Sequence, residues 1–215
     1  MQPSIVTVVT PAASVGLTTL DRAKAIIGVS GTSADEFLKR GIVHLSKRVA
    51  DYCHRTLVSE EVRETWRLKR QRDGLRLARY PLSAVASVTE CGTVLSESAW
   101  EADLRTGQIW RLCNDQRVCW QAGKIEIQYT AGYVAPDDAD TDPDSVDPDT
   151  LILEAQVIEL LKRGYYGIDR DPNLRSETVL SGLYSYSLFD VANAEGQFPG
   201  DICAALDPYV KRDRG

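Results

Sequence analysis

The feature that most constrains the fold is a change of hydrophobic period close to residue 64. Upstream, Leu38, Ile42, Leu45, Val49, Tyr52 and Thr56 recur every three or four residues, which aligns them on one stripe of a helix of about five turns. Downstream, Thr65-Trp66-Arg67-Leu68-Lys69-Arg70 and Leu75-Arg76-Leu77-Ala78-Arg79 alternate apolar with polar, the period of a half-buried strand. A chain that switches period in this way segregates helices from antiparallel sheet, an α+β arrangement.

Punctuation sharpens that outline. Thr18 with Asp21 three positions on opens a first helix carrying Leu20, Ala23, Ile26 and Ile27, and glycines at 28 and 31 bound its end. Ser33 with Glu36 reads as the capping box of the second, long helix. Asp147 caps a third, with Pro148 in the first helical position. Its buried face is expected at Leu151, Ala155, Ile158, Leu161 and Tyr165, and Gly167 and Pro172 end it. Arg72-Asp73-Gly74 between the two alternating runs predicts a tight hairpin. Further strands are expected at 85–89, 107–112 and 124–129, with turns at Cys91-Gly92 and Thr106-Gly107.

The resulting layout is a small helical bundle, residues 17–62 and 148–172, into which a β-rich hairpin subdomain, 63–133, is inserted. Extended terminal arms flank it: 1–16, rich in Val, Thr, Pro and Ala, and 173–215, which has an extended stretch at 178–188 and ends in a short helix opened by Pro199. Residues 134–147 form an acidic, low-complexity loop expected to be mobile.

Composition narrows the function classes. With 43% hydrophobic and 26% charged residues the chain is ordinary for a soluble globular protein. No apolar run approaches the ~20 residues of a membrane span, so no membrane partner is expected. Met1-Gln2-Pro3-Ser4 lacks a basic leader, which makes cytosolic residence the expectation. Five scattered cysteines and two histidines supply neither a disulfide framework nor zinc-ligand spacing. Phosphate-binding, nucleophile-elbow and metalloprotease motifs are absent from the sequence. Paired carboxylates such as Glu60-Glu61 point apart on a strand or helix. The reading is a non-enzyme without metal or cofactor.

Charge is unevenly spread although the net charge is −6. Residues 39–79 hold twelve Lys/Arg against five Asp/Glu, whereas 137–149 hold seven aspartates and no basic residue. Asp138, Asp140, Asp142, Asp144 and Asp149 fall in a calcium-loop register, but Pro143 stands where that loop needs glycine, and an acidic linker is the competing reading. In the basic segment Arg67, Lys69, Arg70, Arg72 and Arg76, with Trp66, are suited to electrostatic contact with DNA or an acidic partner. The wet face of any hairpin alternates in the same way. The C-terminal Leu206-Asp207-Pro208-Tyr209-Val210-Lys211-Arg212 is either a terminal helix packed on its own domain or a docking segment, with an aromatic anchor beside two cations.

Two short signatures remain: Arg79-Tyr80-Pro81-Leu82 leading into one strand, and Thr130-Ala131-Gly132-Tyr133 closing another. Taken in order with the helix opener Leu17-Thr18-Thr19-Leu20-Asp21-Arg22-Ala23-Lys24 and the C-terminal segment, they make the chain resemble the head–tail connector (adaptor) proteins of long-tailed phages and gene transfer agents. The resemblance runs from about Leu17 to Arg212. It implies a subunit of a ring, commonly dodecameric in that family, below the portal at the virion neck after assembly in the host cytoplasm. Such a ring extends the DNA channel and offers a platform to the stopper or tail-completion protein. Ile202, Leu206, Pro208, Tyr209, Lys211 and Arg212 would then engage the portal, and genomic DNA would pass through the ring. The alternatives are another neck or tail-completion protein, and a nucleic-acid-binding module built on 63–79.

Overall fold

The computed structural model describes residues 4–134, 146–167, 176–179, 182–185 and 198–211. The chain divides into a β unit, Met1–Val15 with Thr56–Val134, and a helical unit, Gly16–Arg55 with Ala135–Gly215. The fold is α+β.

The β unit holds β1 (Ile5–Thr10), β2 (Glu60–Leu68), β3 (Gly74–Arg76), β4 (Leu82–Glu90), β5 (Thr93–Val94), β6 (Trp100–Asp103), β7 (Gln108–Cys113), β8 (Gln116–Val118) and β9 (Gly123–Ala131). They form two antiparallel sheets, β1-β2-β9-β4-β5 and β3-β7-β6 with β8 on β7. Alternation decides which faces turn inward. Val62, Trp66 and Leu68 of β2 and Ile125, Ile127, Tyr129 and Ala131 of β9 are buried, while Arg63 and Arg67 are exposed. These meet Leu75, Leu77, Ile109 and Trp120 in one core, where each large apolar side chain contributes roughly 1.5–3 kcal/mol. Asn114 and Asp115, with φ of 51° and 63°, turn β7 into β8, the geometry a two-residue hairpin requires.

Three expectations need correction. The segment expected as an extended N-terminal arm contains β1, which pairs with β2 from Ile5↔Thr65 onward and closes one edge of the larger sheet. Six residues of Ile, Val and Thr have high strand propensity and gain a partner's backbone hydrogen bonds. The predicted Asp73-Gly74 hairpin does not form either. Leu68 is the last residue of β2, and Gly74 pairs with Trp110 of β7 in the other sheet. A Cβ at Gly74 would lie 2.5 Å from the Gln108 side chain and 3.1 Å from Trp110, so this glycine serves a close cross-strand approach, not a tight turn. The strand also begins at Glu60, inside the range expected for the bundle.

The helical unit holds α1 (Leu20–Ile27), α2 (Asp35–Tyr52), α3 (Pro148–Gly167) and α4 (Gly200–Leu206), with a two-stranded ribbon, β10 (Ser176–Val179) and β11 (Gly182–Ser185). Thr19, not Thr18, caps α1, accepting a hydrogen bond from Arg22 N, and Gly28 closes it at φ 82°. Thr18 is used elsewhere: its hydroxyl donates to Glu154 Oε1 at 2.7 Å. Ala34 occupies the cap position of α2 without a side-chain bond, and Lys24 Nζ instead reaches Asp35 Oδ1 at 2.7 Å. The stripe of α2 runs Leu38, Ile42, Ser46, Val49. Ser46 is buried because its hydroxyl accepts from Leu17 N at 3.0 Å. The cap of α3 is as read: Asp149 N donates to Asp147 Oδ1 at 2.9 Å. Its buried face is rotated from the expected one. Leu153, Glu154, Val157, Ile158, Leu160 and Leu161 are buried and Ala155 is exposed.

Candidate functional site

Of the basic residues singled out, the fold gathers three. Arg70, Arg72 and Arg76 line an open depression of about 500 Å³ with Gln71, Asp73, Gly74 and Gln108. The turn after β2 is pinned by main-chain bonds, Arg72 N to Trp120 O at 3.1 Å and Trp120 N to Arg72 O at 2.7 Å. Arg76 sits on β3 opposite Gln108, its guanidinium 5.3 Å from the Tyr80 ring centre. The carboxylate in the lining, Asp73, accepts from the Cys119 thiol at 2.9 Å. Among the described residues none of the three guanidiniums is in an ion pair, whereas Arg79, Arg111 and Arg117 of the same unit hold Glu60, Glu90 and Glu101. Arg67 and Lys69 are exposed but lie outside the depression. Arg67 faces Lys124 across the β2–β9 pair.

The C-terminal segment packs on its own unit. Ile202, Leu206 and Tyr209 are buried, Pro208 is exposed, Lys211 is half-buried, and Arg212 lies outside the described residues. Tyr209 donates its hydroxyl to Asp149 Oδ1 at 2.8 Å, Tyr52 donates to Asp207 Oδ1 at 2.9 Å, and Lys211 N donates to Cys53 O at 2.8 Å. Arg163 binds Asp201 and holds its carboxyl below the usual range. The ring of Phe198, just before α4, meets Tyr52 edge-on at 5.6 Å, with the Arg48 guanidinium 4.9 Å from its centre. Cys53, beneath this strap, has its thiol pushed up to about 11 by burial.

Of the acidic stretch, residues 137–145 lie outside the described residues, as do Tyr186 and Phe189. His44 and His54 are both exposed. No group of His, Cys, Asp or Glu that could hold a metal occurs among the described residues, and no described helix is long and apolar enough to cross a membrane.

Sequence reasoning passed over Glu64. It is fully buried on the inner face of β2, where Oε2 accepts from Ala78 N at 2.9 Å and from the Tyr129 hydroxyl at 2.7 Å. Burial and then the Glu64 charge raise the Tyr129 hydroxyl above its ordinary range. Among the described residues Oε1 and the indole N–H groups of Trp66 and Trp120 have no partner. The signal was available: Glu64 occupies an inward position between Val62 and Trp66. Because it ties β2 to the chain after β3 and to β9, its work is structural.

The two short signatures come together as one corner. Leu82 pairs with Ala131, Gly132 N donates to Pro81 O at 2.9 Å, and Tyr133 N donates to Leu57 O at 2.6 Å. Gly132 has φ 116°, and a Cβ there would lie 2.4 Å from Val58 O, so the corner admits only glycine.

No family model matches this chain, and no curated protein matches its sequence. Solved structures do. A chain from the neck of an empty GTA particle computed with C6 symmetry superposes with a TM-score of 0.57 at 17% identity over 98% of both chains. One from the neck of a native GTA particle computed with C12 symmetry gives 0.51 at 17%, again over 98% of each. A third, from the virion of a native gene transfer agent (GTA) particle, gives 0.57 at 16% over 98% of each. This chain has their fold. The likeness extends over both units and both ends of each chain, so the β unit belongs to the fold and is no private addition.

Proposed function

We propose that this protein is a structural subunit of the neck of a tailed phage or a gene transfer agent, and that it works as a ring. The observation that carries the reading is the end-to-end correspondence with chains of GTA necks. The C6 and C12 symmetries of those neck assemblies support a ring for the relatives, and identical subunits close a ring through heterologous contacts. Binding work suits the open depression lined by Arg70, Arg72 and Arg76, a charged surface.

Within the neck we assign the chain the adaptor position. It binds the portal, extends the DNA channel and carries the stopper or tail-completion protein. The C-terminal segment remains the portal-docking element, in a revised form. Ile202, Leu206 and Tyr209 anchor it to its own unit, leaving the exposed Pro208 and half-buried Lys211 for the partner, and Arg212, outside the described residues, is assigned the same role.

Co-sedimentation with a purified cognate portal ring tests this. Binding of the intact chain, and loss of binding with Lys211→Glu plus Arg212→Glu at unchanged melting temperature, supports the assignment. No binding of the intact chain moves it to another neck position. A truncation after Gln197 is the wrong probe, because it strips Phe198, Ile202, Leu206 and Tyr209 from the core.

A further inference from the structure

We propose that the depression lined by Arg70, Arg72 and Arg76 is a carboxylate-binding site whose occupant is the aspartate-rich stretch 137–149 of a second copy of this chain. The inference rests on the neck-ring reading for the presence of that second copy. Two observations carry it. First, the chain pairs Arg79, Arg111 and Arg117 with glutamates yet leaves these three guanidiniums without an ion pair among the described residues. They converge on an open hollow of about 500 Å³, room for several carboxylates, and the one acid in its wall is engaged by Cys119.

Second, the complementary charge is in the same sequence. Residues 137–149 carry seven aspartates without a compensating cation. Forked guanidiniums bind carboxylates in pairs of parallel hydrogen bonds, and opposed potentials on successive subunits speed and orient their encounter. A duplex, by contrast, needs cations tracking its backbone. It would approach a chain of net charge −6 whose neighbouring arginines are already committed.

A ring of identical subunits repeats both surfaces on every neighbour, so each hollow has the aspartate stretch of another copy to meet.

The test uses the full chain and a fluorescent peptide of residues 135–149, read by anisotropy. Saturable binding is expected, weakening about tenfold or more between low and high salt, and lost with Arg70→Ala, Arg72→Ala and Arg76→Ala together. A charge swap guards against a misfolded variant. A peptide with Asp138→Lys, Asp140→Lys and Asp142→Lys should ignore the parent chain and bind one carrying Arg70→Glu, Arg72→Glu and Arg76→Glu. No peptide binding, or binding indifferent to both variants, overturns the proposal. So does a short DNA duplex that displaces the peptide at equal total charge, which would assign the site to nucleic acid. Failure here leaves portal co-sedimentation, and with it the neck reading, untouched.

Discussion

At the level of single residues, Glu154 ties α3 to α1 and to the residues just before it. Its carboxylate is almost fully buried on α3 and takes a forked pair from Arg22, Nε and Nη2 both at 2.8 Å, plus the Thr18 hydroxyl. Removing one partner of a buried pair strands the other, so Glu154→Ala should cost about 2–4 kcal/mol in denaturant unfolding. Glu154→Gln keeps the Thr18 bond and should cost less. Asp201 gives a pH signature. Arg163 lowers its folded carboxyl below the ordinary 3.8, so its contribution is present above the unfolded value and is lost as pH falls through the depressed one. Parent and Asp201→Asn should therefore differ in melting temperature at neutral pH and converge in strong acid. Thiol labelling should follow burial: Cys91 and Cys113 are exposed and react first, while Cys53 reacts only on unfolding.

At the level of elements, two glycines set how closely backbones approach. A Cβ on Gly41 of α2 would lie 2.4 Å from Leu161 Cδ1 of α3. Gly41→Ala gains helix propensity of roughly 1 kcal/mol but forces Leu161 off its place. A net loss of about 1–2 kcal/mol is expected by chemical denaturation. Gly132→Ala is harsher, because the obstacle is the carbonyl of Val58 and the backbone is left-handed. Loss of about 3 kcal/mol or more, with the damage seen by hydrogen exchange at β2, β4 and β9, is expected. Helix and strand types were legible wherever period and composition agreed, as in α2, β2 and β9. The Asp73-Gly74 hairpin misled because a turn dipeptide is a local signal, while the partner of β3 is a strand more than thirty residues away. The face of α3 misled because Leu151, Ile152, Leu153, Val157, Ile158, Leu160 and Leu161 encircle it with apolar residues, so period alone does not choose an inward direction.

At the level of the whole molecule, the end-to-end likeness to GTA neck chains at 16–17% identity shows a fold maintained by patterning, since cores tolerate wide exchange of apolar residues at kept volume. If the chain takes the proposed adaptor position, sedimentation of the purified protein with a portal ring should give a complex of fixed stoichiometry, and Lys211→Glu with Arg212→Glu should abolish it. The candidate surfaces were only partly legible. The sequence marked the basic segment by its charge, but which of its cations share a hollow depended on β3 crossing to the second sheet. The sequence also marked the C-terminal segment, yet three of its six named residues are buried in the chain itself.

The sequence alone determined the element types, the cap at Asp147, the α+β class and the separation of charge, because each follows from spacing or composition along the chain. Only the tertiary structure decided that residues 5–10 become an edge strand, that Glu64 and Glu154 are buried carboxylates, and that Arg-Tyr-Pro-Leu meets Thr-Ala-Gly-Tyr at one corner. Those outcomes turn on which distant segment supplies a hydrogen-bond partner, and strand pairing is settled by global packing, not by local preference.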